Sequence, residues 1–253
     1  MTGIRRFLAV LAALLLWGTG AQAEAQPFRR QTMDFFSTVC VLTIYPQSDA
    51  VGQAVWQEVK ATLADIEQAV SVSNAESDVA RFNALPCGGE IAVRNDTAAM
   101  LQIVMQVYEE TDGLYDPTVY PLIDLWGFSP RFNESAYTPA KPYDRAYENG
   151  LLPLPEEKYI NAFRSLVNLD GVTLSQREGQ WFLRKDIAPI TVDGVTYQAM
   201  MDLGGIAKGY ACDRVKEILA AYGIEHGVFV CGESSISFLQ SATGDGCYRV
   251  ELG

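Results

Sequence analysis

Apolar residues recur along this chain with two periods, and the switches between them mark out its elements. From Ala50 to Val70 the period is helical, with Ala54, Val55, Val59, Leu63, Ile66 and Val70 on one face. A second stripe, Met100, Leu101, Val104 and Tyr108, follows Asn95 and Asp96, either of which can cap its start, and Gly113 stops it. Val39 to Tyr45 alternates as a strand. Shorter strands are predicted at Leu166–Asn168, Val172–Leu174, Trp181–Leu183 and Ile190–Val192, and Gly227–Val230 reads as a buried strand. Pro155-Glu156-Glu157 opens one helix. A glycine-led helix with Val215, Ile218 and Leu219 at helical spacing runs to about Tyr222. A loop with a short helical piece precedes Val93, and residues 129–155, rich in proline, tyrosine and asparagine, read as a long surface excursion. Strands in runs broken by helices predict an α+β fold, with mixed or antiparallel sheets and packed helices, rather than regular βαβ winding.

The first 23 residues stand apart. Arg5 and Arg6, the apolar run Phe7 to Trp17 and Ala21-Gln22-Ala23 have the order of a secretory signal. The run is too short for a firm membrane span, and no cysteine follows the cleavage point to carry a lipid. The expected mature protein is therefore exported, periplasmic or otherwise extracytoplasmic, with one domain over residues 24–253 and no stable membrane span. Cleavage leaves 17 basic against 31 acidic side chains, a net charge of −14. That balance argues against nucleic acid or anionic lipid as a partner, and any phosphate site must be built locally. Five cysteines without a CxxC pair, and His226 as the sole histidine, make a zinc site or a disulfide scaffold a poor reading.

Candidate chemistry gathers in two stretches. Asp202-Leu203-Gly204-Gly205-Ile206-Ala207-Lys208-Gly209-Tyr210 reads as a strand end, a two-glycine turn and a helix start. Glycines there let backbone amides and the helix dipole approach a ligand, and Lys208 adds a cation where acids are normally preferred. A phosphate or pyrophosphate explains that choice, and Asp202 suits a ribose hydroxyl or a metal ion. A strand–helix corner whose glycines merely permit tight packing is the alternative. The second stretch is Thr111-Asp112-Gly113-Leu114-Tyr115-Asp116-Pro117-Thr118, continuing to Trp126-Gly127-Phe128. By itself it reads as a rigid aromatic turn, with Asp116 extended before proline.

Together the two stretches resemble the ApbE family of FAD:protein FMN transferases, with its Thr-x-Gly-x-x-Asp-x-Thr-x-x-Pro-Leu and Asp-Leu-Gly-Gly-Ile-Ala-Lys-Gly-Tyr-Ala-x-Asp signatures. Upstream, Ser71-Val72-Ser73 and Ser77 to Asn83 resemble a further family segment, and Phe36-Ser37-Thr38 falls where Met-Gly-Thr is usual. The resemblance implies magnesium-dependent transfer of FMN from FAD to a threonine or serine hydroxyl of an acceptor redox protein, with AMP released. It implies FAD contacts at Asp202, Lys208, Leu114, Tyr115 and Asp116, with Thr118 as a neighbour, and a metal contact from the Gly205 carbonyl. Phe36 stands at the place of an FAD-touching methionine, and Ser73 replaces a tyrosine expected to lie against the cofactor. No catalytic base is assigned. Relatives continue past the strand near Gly253 into a His-Ile-(Ile/Leu)-Asp-Pro region that supplies further metal ligands, so the chain reads as C-terminally truncated relative to the family. Two other activities stay open at this point: an FAD pyrophosphatase that uses water as acceptor, and an FAD-binding protein with an incomplete metal site.

Overall fold

In the computed structural model of the chain, residues 26–129 and 154–240 are described. The leader read in residues 1–23, most of the stretch 129–155, and Cys247 lie outside them. The order is β1 (Phe28–Phe35), β2 (Thr38–Ile44), α1 (Asp49–Val70), α2 (Asp78–Asn83), β3 (Glu90–Val93), α3 (Asn95–Glu110), α4 (Tyr120–Leu125) and α5 (Glu157–Phe163). There follow β4 (Val172–Arg177), β5 (Gln180–Lys185), β6 (Ile190–Val192), β7 (Val195–Tyr197), α6 (Gly204–Ala221), β8 (Gly227–Cys231) and β9 (Ser235–Phe238). The fold is α+β. One sheet has the order β1-β2-β8-β9, a second β3-β5-β4, and β6-β7 is a separate hairpin, each neighbouring pair antiparallel.

The main core lies between the first sheet and two helices. Alternation turns Cys40, Leu42 and Ile44 of β2 inward with Phe229 and Cys231 of β8, against Val55, Val59, Leu63 and Ile66 of α1 and Ala211, Val215 and Leu219 of α6. Each large aliphatic side chain sealed this way contributes about 1.5–3 kcal/mol. The helical face read in α1 holds except for Ala54, which stays exposed. Trp56 and Gly52 turn inward instead, Gly52 because the Phe28 ring from β1 lies directly on it.

Two local readings are corrected, and one strand went unread. Neither Asn95 nor Asp96 caps α3: Arg94 occupies that position, and Asp96 instead accepts the Tyr210 hydroxyl of α6 at 2.6 Å. Leu166–Asn168 is not a strand, because Arg164–Leu166 and Leu169–Gly171 form 3-10 turns whose neighbouring amides are claimed by side chains of another loop. Strand β1 carries no apolar alternation to betray it, since its sequence is charged and its outer positions face solvent.

Candidate functional site

The two motif-bearing stretches meet at the start of α6, where the Asp202 amide donates to the Pro117 carbonyl at 3.0 Å. One side of the junction is built from the end of α3. Gly113, at φ +78°, supplies a left-handed turn, and its amide returns to the Tyr108 carbonyl at 2.8 Å. The Thr111 hydroxyl then accepts the Tyr115 amide at 3.3 Å. Asp116 Oδ1 accepts the Thr118 amide at 2.8 Å and its hydroxyl at 2.6 Å, while Oδ2 accepts the Leu169 amide at 3.1 Å. Thr118, fully buried, accepts the Asn168 amide at 2.8 Å. These bonds fix Asp116 and Thr118 in place and shape the loop around them.

The other side is residues 199–201, which belong to no strand among the described residues. The Asn83 side chain supplies a substitute ladder rung, donating Nδ2 to the Met201 carbonyl at 2.9 Å and accepting the Met201 amide at 2.7 Å. Lys185, fully buried at the inward end of β5, donates Nζ to the Leu85 and Ala199 carbonyls at 2.8 Å each and to Asn83 O at 3.3 Å. Its ammonium also lies 4.8 Å from the Phe82 ring centroid. Among the described residues no carboxylate pairs with it, and burial pushes its pKa down to about 8. Sequence reasoning passed over both residues. The available signal was a lysine two places from Leu183, in the apolar register of a strand.

At the turn itself, the Gly204 amide donates to Asp202 Oδ1 at 2.7 Å. The Ile206 and Ala207 amides both donate to the Leu203 carbonyl at 3.0 Å. The Gly205 amide has no partner among the described residues. Any side chain at Gly205 would begin 3.0 Å from the Tyr115 hydroxyl, so the glycine admits that ring. Burial raises the Asp202 carboxyl above the ordinary range, against the opposing pull of the Gly204 amide and of Lys208. Burial, and then the Asp202 charge, likewise raises Tyr115. Lys208, half-buried and three residues beyond Gly205, forms no ion pair or hydrogen bond among the described residues. An open amide, a cation with no hydrogen-bonded partner among the described residues and a carboxylate raised by burial, within two helical turns, suit an anionic ligand that brings a cation with it.

The remaining candidates lie outside the Asp202–Lys208 segment. Phe36 and Ser37 form the tip of the β1–β2 hairpin at φ 54° and 50°, and the Phe36 amide donates to Glu67 Oε2 at 2.9 Å. Ser73 is exposed, and Leu114 is 91% exposed. None of the three is hydrogen-bonded to the Asp202–Lys208 turn among the described residues.

The family model described as the ApbE family matches residues 36–248. The chain belongs to the ApbE family. An FAD:protein FMN transferase of Vibrio cholerae is 28% identical over 223 residues, covering 88% of this chain and 58% of its own length. One from Escherichia coli is 25% identical over 228 residues, covering 86% of this chain and 56% of its own. The chain thus spans little more than half the length of these ApbE relatives. Among solved structures, the flavin transferase ApbE from Vibrio cholerae superposes with a TM-score of 0.69 at 22% identity, over 90% of this chain and 64% of that one. The flavinyl transferase ApbE of Pseudomonas stutzeri in its apo form gives 0.69 at 23% identity, over 90% and 61%. Both likenesses establish the ApbE fold.

Proposed function

We propose that this chain acts as an FMN transferase, moving FMN from FAD to a threonine or serine hydroxyl of an acceptor redox protein and releasing AMP. The observation that carries this reading is the α6 start: the Gly205 amide and the Lys208 ammonium, both without partners among the described residues, beside a carboxylate that burial holds above its ordinary pKa. A pyrophosphate placed there gains an amide hydrogen bond, the helix dipole and a fixed positive charge. The relatives named as FAD:protein FMN transferases support the substrate.

Magnesium belongs to the proposal as well. Among the described residues no group of three His, Cys, Asp or Glu side chains is placed to hold an ion. The residues fit an ion whose remaining ligands are phosphate and water, the usual arrangement for magnesium. Asp202, and the second lone pair of the Gly205 carbonyl, would hold it. When bound, it neutralises charge on the pyrophosphate. The chain's own residues do the rest. Lys208 holds the phosphates, the Tyr115 ring is seated over Gly205, and Asp116, Thr118, Asn83 and Lys185 keep the two flanks of the turn in register.

Export is the location we infer, because the basic, apolar and small-residue order of residues 1–23 matches a secretory signal. Among the described residues no helix is long and apolar enough to cross a membrane.

The test is the intact mass of a threonine-bearing acceptor domain incubated with the protein, FAD and magnesium. A magnesium-dependent gain of one FMN is expected. An unmodified acceptor with FMN and AMP free in solution would replace transfer with hydrolysis. An unmodified acceptor with FAD bound and intact would replace catalysis with flavin binding.

A further inference from the structure

Cys40 and Cys231 face each other across β2 and β8, their sulfurs 3.6 Å apart, and both are completely buried. Their place in the ladder matters. Gly232 donates its amide to Val39 O, and Tyr45 donates to His226 O, so Val39 and Tyr45 lie in hydrogen-bonded pairs with the residues opposite. Such pairs alternate along an antiparallel ladder, which makes Cys40 and Cys231 a pair without mutual backbone bonds. Pairs of that kind bring Cα atoms to about 4.5 Å and side chains closest together, inside the Cα range of disulfides, about 4.4–6.8 Å. Both side chains point into the core layer covered by α1 and α6.

We propose that Cys40 and Cys231 form a cross-strand disulfide that ties β2 to β8 close to Lys208. The proposal is independent of the flavin reading. The bond forms by thiol–disulfide exchange while both thiols are still accessible, with Cys40 attacking first. Its thiolate attacks one sulfur of an external disulfide, a small-molecule or protein oxidant, and expels the other sulfur as a thiolate. Cys231 then loses its proton and attacks the Cys40 sulfur of the mixed disulfide, expelling the second thiolate. Two thiols give up two electrons and two protons, and the oxidant leaves as two reduced thiols. Because both thiols are sealed from solvent, oxidation accompanies folding, before the helices close over the sheet.

The bond closes a loop of 191 positions, and cross-links over long loops constrain the unfolded chain most. The full chain, refolded in a glutathione redox buffer, alkylated in denaturant and digested, should yield one linked peptide joining Cys40 to Cys231. Reduction should lower its unfolding midpoint by about 5–15 °C. That shift should disappear in C231S and survive in a C87S/C212S/C247S variant. Alkylation of all five cysteines, or a linked peptide joining any other pair, overturns the proposal. The peptide map uses the unsubstituted chain, so it decides the matter even where a variant folds poorly.

Discussion

Two carboxylates, the buried Asp78 and the half-buried Asp202, lie on opposite sides of the same design. Asp78, at the start of α2, is saturated: it accepts the Arg94 amide at 2.7 Å, the Arg94 guanidinium at 2.9 Å and the Thr97 hydroxyl at 2.7 Å, with Arg81 at 3.4 Å. Asp202 takes one amide among the described residues and is raised by burial. The lysines repeat the contrast. Lys185 is sealed among three carbonyls, whereas Lys208 has no partner among the described residues. A saturated polar group fixes the chain and has nothing left for a ligand. An unsaturated one is destabilising until a ligand arrives, and that is the mark of a site.

The sharpest way to break this comparison is Asp202→Asn. Asn keeps an oxygen for the Gly204 amide and removes a poorly solvated charge. Thermal stability should stay unchanged or rise slightly, while magnesium-dependent FMN transfer falls by about a thousandfold or more, on the order of 4 kcal/mol. Initial rates beside a melting curve check it, and an equal loss of both would make Asp202 as structural as Asp78. The reverse holds for Asp78→Ala, which strands the Arg94 guanidinium and amide and the Thr97 hydroxyl. We expect a loss of about 3–4 kcal/mol in urea unfolding, with flavin affinity preserved in the folded fraction.

These effects also explain what could be read from residues alone. The Asp202–Asp213 run is legible because its glycines and its misplaced lysine break helix-start rules locally. The strand pattern of β2 and the helical stripes of α1 and α3 are legible because burial follows a period. Asn83 and Lys185 were not, because their partners are backbone carbonyls and amides up to 118 positions away, and a carbonyl leaves no trace in a sequence. The strand over Leu166–Asn168 failed for the same reason. The Asn168 amide bonds to Thr118 and the neighbouring Leu169 amide to Asp116, contacts 50 and 53 positions distant that override local apolar character.

Lys185→Met probes the sealed member of the lysine pair. Removing the ammonium uncovers three carbonyls, and about 2 kcal/mol should be lost at pH 7. The pH dependence has a definite sign. Burial lowers the folded-state pKa to about 8, so above that value the unfolded chain holds the proton while the folded one has released it. Lys185's contribution is therefore least favourable below pH 8 and improves as the pH rises towards the unfolded lysine value, about 10.4. The stability gap between wild type and Lys185→Met should widen from pH 8 to 10. A constant gap across that range would show that the ammonium keeps its proton in the sealed site.

The smallest effect concerns the hairpin tip, where Phe36 and Ser37 both occupy left-handed backbone. Neither is a residue that enters that region without strain, and such positions cost about 1–3 kcal/mol each when the side chain is not glycine. The Glu67 carboxylate holds the Phe36 amide, and the β1–β2 ladder closes behind it, so the surrounding structure enforces the turn. Ser37→Gly removes one strained position without touching a hydrogen bond in which the serine side chain takes part among the described residues. Some of the relief is offset by the greater freedom of glycine in the unfolded chain, leaving a net gain of about 0.5–1 kcal/mol in urea unfolding. If the tip belongs with the unsaturated group, that gain comes with altered FAD affinity, because the strain then holds Phe36 for a ligand. A gain in stability with unchanged affinity places Phe36 with Asp78 and Lys185, among the residues that only hold the fold.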